Sequence, residues 1–540
     1  MGYESFFKDA RLSHHVSCIK ALVGAEDRFL DREKMVLAAI ATLFIGAFGN
    51  VLYQLYLHPL SDVPGPTWYK LSPVPLRWSE IQVRRAPMLL GLHRKYGSTV
   101  RVGPNEISIA DPAVYREIYN GKTHLKEARF YEPFQFLGNG NLFGSVDHSI
   151  HGSRRRMIST PFSHQQIIQN EGLINERVTA FINRTLDVAS SSGGRVDVFD
   201  LCGLLSLEVI CRLAFNYDFS TDMELSRKLL TALEGSVLAL ILNPIFPFLR
   251  NASYRTKLPG ALGHAYGSFE TWVSTTRALL KDLDSQDLNE HACKKYIAAP
   301  LLRETSRHLN RKYTFDEVTE ESMGLESAGT GVTQHMLVYF LYTLSKPENR
   351  HMQIRLRDEL LSSSATSYGE LSSLPYFTAC FKEIYRLYPV IMSTLPRVLQ
   401  TPLFLPTTGH TLPPGTVVGM QNYVHHRDSS LYPHPDSFVP DRWLEGSTLA
   451  TNLKQMDSAL TPYSVGPRSC LGQTIAKVEL HLAVAPIVRT LDLRLDTSMT
   501  EDDMAMLDFW AVFPKGAKLV LNVQRLDKQG RTNRTEGSPA

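Results

Sequence analysis

Ten residues late in the chain, Tyr463 to Gly472, read YSVGPRSCLG and gather the residue types that metal chemistry needs. Cys470 closes a glycine-bounded loop directly before an apolar helical run, Gln473 to Ala485, which Pro486 is expected to end or kink. A cysteine there sits at the positive end of a helix, where free N–H groups stabilise a thiolate and tune a metal bound to it. Arg468 carries a planar fork suited to a carboxylate. Gly466 and Gly472 let the backbone come close to a flat macrocycle. By residue type alone the stretch also fits a core cysteine in a chance turn. The other cysteines, Cys18, Cys202, Cys211, Cys293 and Cys380, have no CxxC or repeating spacing, which argues against a disulfide framework and a zinc site.

Two further clusters lie upstream. Glu383-Ile-Tyr-Arg386 falls in a helix-like run ending at Pro389, where residues three apart share a face and can pair. Glu224 to Arg227 and Glu304 to Arg307 repeat that spacing, so spacing alone does not distinguish it. His151-Gly-Ser-Arg-Arg-Arg156 precedes Pro161-Phe162-Ser163, and its three arginines fit a solvated helix face equally well.

The elements that must position these residues are mainly helical beyond residue 85. Leu201 to Phe215, Arg227 to Leu242, Met336 to Leu344 and, past Pro347, Arg350 to Leu361 carry apolar residues at three-to-four spacing. Thr99 to Val102 and Glu106 to Ile109 alternate as a hairpin about Gly103-Pro104-Asn105, and Lys518 to Val523 closes the body as a strand. In 540 residues there is no repeat and no Gly/Ser linker. The 57 basic and 54 acidic residues leave a net charge of +3, so bulk nucleic-acid binding is excluded and an electrostatic partner must meet a local patch.

Met35 to Leu57 is an uncharged apolar stretch of 23 residues, roughly 34 Å as a helix against a hydrocarbon core of about 30 Å. It follows 34 residues containing both acids and bases, which favours an uncleaved anchor over a signal peptide; a buried core helix is the other possibility. Lys70, Arg77, Arg84, Arg85, Arg94 and Lys95 follow the span, whereas Arg28, Arg32 and Lys34 precede it; the balance is taken to place the body in the cytosol. Sequons at Asn183, Asn251 and Asn533 matter only for a lumenal body. Pro64-Gly65-Pro66 is expected to form a stiff, non-helical hinge between anchor and body.

The 463–472 segment resembles the haem-binding loop of the cytochrome P450 family, Phe-x-x-Gly-x-Arg-x-Cys-x-Gly. Gly466, Arg468, Cys470 and Gly472 match, and Tyr463 stands where the family has Phe. In this family cysteine thiolate is the known iron ligand. The Glu383–Arg386 pair lies at the family's distance upstream. Pro440-Asp441-Arg442-Trp443 resembles the segment whose arginine joins that buried ion pair, so Glu383, Arg386 and Arg442 are expected to form a structural support. The His151 segment resembles the family's C helix, which assigns His151 and Arg155 to the haem propionates. Arg397 is a further propionate partner by resemblance. These bases, with Lys477, would also offer a proximal face to an acidic electron donor.

The resemblance runs from about His58 to Arg525 and implies a mainly α fold: one large helical domain with small β-sheets, preceded by a transmembrane helix. It divides the chain into an N-terminal extension (1–34), an anchor (35–57), a catalytic domain (58–525) and a polar tail (526–540). The implied activity is monooxygenation of a lipophilic small molecule in fungal secondary metabolism. The implied cofactor is haem b, with electrons from NADPH through cytochrome P450 reductase, or cytochrome b5, at the endoplasmic reticulum membrane. Apolar, aromatic-bearing segments at Tyr131–Gly140, Ser236–Leu249, Val390–Leu395 and Met504–Phe513 are expected around the substrate, and Pro244 to Phe248 at the bilayer surface.

One departure is chemical. Where the family reads Ala-Gly-x-Asp/Glu-Thr-Thr/Ser over the distal face, this chain reads Ala328-Gly-Thr-Gly-Val-Thr333, with Gly331 for the acid and Val332 for the principal hydroxyl. Thr330 or Thr333 is expected to substitute as proton relay if the helix unwinds locally at Gly329 and Gly331. Alternatively, a substrate hydroxyl serves, or the reaction is an oxidative coupling, dehydration or rearrangement. A haem sensor or electron carrier, and a membrane-tethered scaffold without haem, are the non-enzymatic readings.

Overall fold

The computed structural model describes residues 34–250, 258–287, 295–450 and 452–527. The expectations for residues 1–33, most of the polar tail, Cys18, Cys293, Asn251 and Asn533 lie outside these. The apolar stretch forms a helix, α1 (Lys34–Leu57), with a mean hydropathy of 2.1 and none of its most apolar window buried in the protein. It is therefore not a core helix, and it is long and apolar enough to cross a membrane.

The expected stiff, non-helical segment is present, and it is held to the body rather than standing apart from it. Pro64-Gly65-Pro66 is non-helical, but it lies against the first strand: Arg101 N donates to Pro64 O at 2.7 Å. A Cβ on Gly65 would stand 2.3 Å from Arg101 O, so only glycine permits the approach. The fully buried Arg101 side chain reaches back to the last turn of α1, donating to Gln54 O at 2.8 Å and Gln54 Oε1 at 2.6 Å, and also to Leu60 O and Pro104 O. Four acceptors on one guanidinium fasten the anchor to the body.

Strands β1 (Thr99–Gly103), β2 (Glu106–Ile109), β3 (Leu125–Lys126), β4 (Arg195–Asp197), β5 (Arg397–Val398) and β6 (Val417–Met420) lie in the first four-fifths of the chain. A five-stranded sheet runs β1-β2-β6-β5-β3, with β6 parallel to β2 and the other pairs antiparallel. The β1–β2 hairpin turns at Gly103 as its sequence predicts. Strands β7 (Leu491–Leu495) and β10 (Val520–Arg525) join β4 in a second sheet, and β8 (Met506–Phe509) pairs with β9 (Ala511–Pro514).

The helices that bear on the site include α2 (His148–Ile158), α3 (Phe199–Phe215), α4 (Met223–Gly235), α5 (Val237–Ile245), α6 (Gly260–Ser285), α7 (Phe315–Ser345), α8 (Pro375–Leu387) and α9 (Gln473–Thr490). Two differ from expectation. The Arg227–Leu242 run is two helices, because α4 stops where Gly235 meets α6: a Cβ there would come within 2.9 Å of Ser268 Cβ. Apolar spacing continues across the break and hides it. Helix α9 passes through Pro486 to Thr490, and buried Ile487 and Val488 hold its last turn although one donor is missing.

The core forms around α3, α7 and α9. Helix α7 opens with a capping box between Thr314 and Glu317 and continues unbroken for 31 residues. It packs tightly on α3 at Gly329, where a Cβ would stand 2.5 Å from Ile210 Cγ1.

Candidate functional site

The 463–472 segment folds as a tight loop ahead of α9. Gly466 has φ +74°, and a Cβ there would overlap Asn120 Cα at 2.5 Å, so the residue must be glycine. Cys470 N donates to Tyr463 O at 2.9 Å, which sets the thiol two residues before the first turn of α9. Tyr463 carries the extra hydroxyl inward and donates it to Tyr385 on α8 at 3.0 Å. Cys202, Cys211 and Cys380 are sealed in the core; among the described cysteines only Cys470 is exposed. It is uncovered on one side and surrounded by protein on the others. Burial pushes its pKa up, against the Gly472 backbone and the charges of Arg155 and Lys477, which pull it down.

Cations collect beside this thiol. Arg155 donates to Ser469 O at 2.8 Å; Arg468 donates to Ser145 O at 2.7 Å and Val146 O at 2.8 Å; Arg397 donates to Tyr131 Oη at 2.8 Å. Lys126 lies on β3 beside Arg397 on β5, its ammonium 4.1 Å from the Tyr131 ring centre. Burial and then Arg397 lower Arg468 to about 10, and burial, Arg397 and Arg468 hold Lys126 well below its ordinary value. His151 is neutral, brought to about 3 by burial and then by Arg468, Lys126 and Arg155. Among the described residues no carboxylate forms a salt bridge with Lys126, Arg155, Arg397 or Arg468, and the buried Arg468 Nε and His148 Nε2 have no partner. A cluster of mutually repelling cations served only by neutral acceptors complements a group with more than one carboxylate. With the accessible thiol and the glycine-lined loop, the donor set fits a propionate-bearing iron porphyrin.

Thus the structure brings His151, Arg155, Arg397, Arg468, Tyr463, Gly466, Gly472 and Cys470 into one region. The arginine triplet divides: Arg154 pairs with Glu321 on α7 at 3.0 Å, Arg155 turns to the thiol loop and only Arg156 is solvated. Lys126 and His148 were missed, since neither sits in a motif; their only signal is the pairing of β3 with β5 and the place of His148 at the start of α2.

Behind the loop, Glu383, Arg386 and Arg442 are all fully buried. Glu383 accepts two bonds from Arg386 at 2.8 and 2.9 Å, one from Arg442 Nε at 3.1 Å, one from Val439 N at 3.0 Å and one from Trp443 Nε1 at 2.8 Å. The remaining guanidinium N–H groups go to the carbonyls of His426, Pro433, His434, Pro435 and Ser437. Trp443, adjacent to the expected Arg442, completes the ring.

On α7 one face is open. Ala328 is the only exposed residue past the first turn, and Gly324, Leu325, Ser327, Gly331 and Val332 beside it are half-buried. The unwinding expected at Gly329 and Gly331 does not occur. At about 100° per residue, Thr330 and Thr333 fall on the side opposite Ala328 and are buried, Thr330 Oγ1 without a partner. Both side chains therefore leave the helix on the side away from the open face, and the helix stays continuous where Gly329 packs closely on Ile210.

Comparison with known proteins bears on this geometry. The profile described as Cytochrome P450 matches residues 70–520. The chain is 26% identical over 490 residues to conidiogenone synthase of Penicillium rubens, covering 88% of this chain and 97% of that protein. It is 26% identical over 513 residues to averantin hydroxylase of Dothistroma septosporum, covering 91% and 92%. Among solved structures, retinoic acid bound cyanobacterial CYP120A1 aligns with a TM-score of 0.65 at 19% identity over 80% of this chain and 93% of that one, a likeness of fold.

Proposed function

The chain belongs to the cytochrome P450 family, and from that premise we propose that it is a membrane-tethered haem-thiolate monooxygenase of fungal secondary metabolism that oxidises a lipophilic small molecule. The overall reaction is RH + O2 + NADPH + H+ → ROH + H2O + NADP+. The observation that carries the reading is the exposed Cys470 thiol at the head of α9, beside cations that lack a carboxylate partner. The haem, which we take as haem b, supplies dioxygen activation when bound. Cys470 is its ligand; Arg155, Arg397, Arg468 and Lys126 with His151 hold the propionates; Gly466 and Gly472 shape the loop; Glu383, Arg386 and Arg442 brace it.

The catalytic unit extends from residue 58 to 525. Its electrons come from NADPH–cytochrome P450 reductase, or cytochrome b5, docking near Lys477 and Arg155. The basic residues after α1 favour a cytosolic body at the endoplasmic reticulum, and exposed Phe246 and Phe248 favour a membrane-facing entry for substrate. The names of the relatives, a hydroxylase and a synthase of fungal metabolites, support the substrate class.

Reduced protein plus carbon monoxide tests the ligand: the wild type gives the thiolate-haem band, and Cys470→Ser abolishes it together with turnover. If Cys470→Ser keeps the band, the assignment is wrong. A second reading, oxidative coupling, dehydration or rearrangement, is favoured by Gly331 and Val332, which leave the open face of α7 without acid or hydroxyl at those positions. Labelled dioxygen separates the two, since only monooxygenation places its oxygen in the product.

A further inference from the structure

The reaction above consumes two protons for each dioxygen, RH + O2 + 2 e− + 2 H+ → ROH + H2O, so something must lead protons along the open face of α7. That face carries Gly324, Ala328, Gly331 and Val332, flanked by Leu325 and Ser327, so it has no acid and its nearest hydroxyl, on Ser327, stands to one side. Two turns beyond Ala328 the same face presents His335, which is 92% buried and leaves Nδ1 without a hydrogen-bond partner. The ring is gripped by Phe199, stacked at 5.9 Å, and Phe513, edge-on at 5.1 Å. Nδ1 meets no protein donor or acceptor, so in the tautomer that carries its proton on Nε2 it is free to accept a bond from water. Nδ1 then carries a lone pair.

The geometry next door gives that lone pair a use. A Cβ placed on Gly331 would meet nothing within 4 Å except His335 Cε1, at 3.9 Å. Cε1 lies between the two ring nitrogens, so the imidazole edge that includes the unsatisfied Nδ1 borders the space left by the missing Gly331 side chain. A buried acceptor beside open space is what an ordered water occupies. We propose that His335 is a positioning residue of the proton relay, holding through Nδ1 a water in the space at Gly331 and so replacing the acid and hydroxyl that this chain lacks there. Burial holds the imidazole near 4, so it stays neutral and keeps its acceptor at working pH.

This inference rests on the haem-thiolate reading, and the experiment separates the two. Wild type, His335→Phe, His335→Gln and Gly331→Asp/His335→Gln are assayed in membranes with reductase and substrate for product, peroxide and NADPH. We expect His335→Phe to keep the carbon monoxide band and the spectral response to substrate while product formation falls about 100-fold and electrons leave as peroxide, the lower end of what a positioned proton transfer is worth. The aspartate of the double variant restores product relative to His335→Gln. Magnetic resonance of labelled histidine in the full chain shows Nδ1 unprotonated and accepting a hydrogen bond, a signal absent from His335→Phe. Unchanged product-to-peroxide ratios in both single variants, or a proton on Nδ1, overturn the inference. If the wild type itself lacks the carbon monoxide band, the haem reading falls first and takes this one with it.

Discussion

The polar groups behind Cys470 and those along α7 are buried alike and treated oppositely. Around Glu383 every carboxylate oxygen and every guanidinium nitrogen of Arg386 and Arg442 finds a partner at full burial. Along α7, Ser322 Oγ, Glu326 Oε1, Thr330 Oγ1 and His335 Nδ1 are buried without one. A closed network fixes one geometry, which suits a loop whose task is to hold a sulfur still. Open valences on a straight helix leave places for water, and of these four groups only His335 shares the face of Ala328, the side assigned to the reaction.

The strongest way to break the contrast is to open the closed network. Glu383→Ala strands two buried guanidinium groups and is expected to cost about 3 to 5 kcal/mol, read as a fall in the unfolding midpoint and loss of the folded holoprotein. Glu383→Gln keeps the shape without the charge and should fall between the two.

The α7 side can be probed by pH. Glu326 accepts from Trp272 Nε1 at 2.6 Å and Thr276 Oγ1 at 2.7 Å, and burial raises its pKa from 4.5 to about 7. Between those values the native protein retains a proton that the unfolded chain has released, so its stabilising contribution is complete below pH 4.5 and is lost as pH rises to about 7. At about 1.4 kcal/mol per unit the whole change is on the order of 3 kcal/mol. Glu326→Gln keeps both bonds and should flatten the dependence, as followed by unfolding at stepped pH.

Between the two regions lies the cation cluster. Arg468→Gln is expected to weaken haem retention about 10- to 100-fold, the worth of a lost charge-assisted bond of about 1.5 to 3 kcal/mol; haem transfer to a scavenger protein measures it. The smallest effect belongs to Tyr463→Phe, which restores the family's usual residue and leaves Tyr385 without its neighbour at 3.0 Å. A loss of about 1 kcal/mol in stability with little change in turnover is expected.

What could be read from the sequence follows the same division. Cys470, Glu383, Arg386 and Arg442 were legible because their roles demand fixed residue types at fixed spacings. Lys126 and His148 were not, because Lys126 reaches the site through the pairing of β3 with the distant β5 and His148 through its place at the start of α2, and neither relation demands a residue type at a fixed spacing. His335 escaped because its meaning depends on the emptiness at Gly331, a relation visible only once the helix proves continuous. Pro486 misled for a related reason: local breaking power was outweighed by the burial of the residues that follow.

The grip of Arg101 on Gln54 also has a mechanical consequence. A tethered globule samples many attitudes to its membrane, but a globule bolted to its own mast inherits the mast's tilt. With α1 spanning the bilayer and the substrate entry facing the lipid as proposed, thickening or thinning the lipid, which a spanning segment answers by leaning, would swing the whole body as a lever and change the height at which that entry meets the lipid surface.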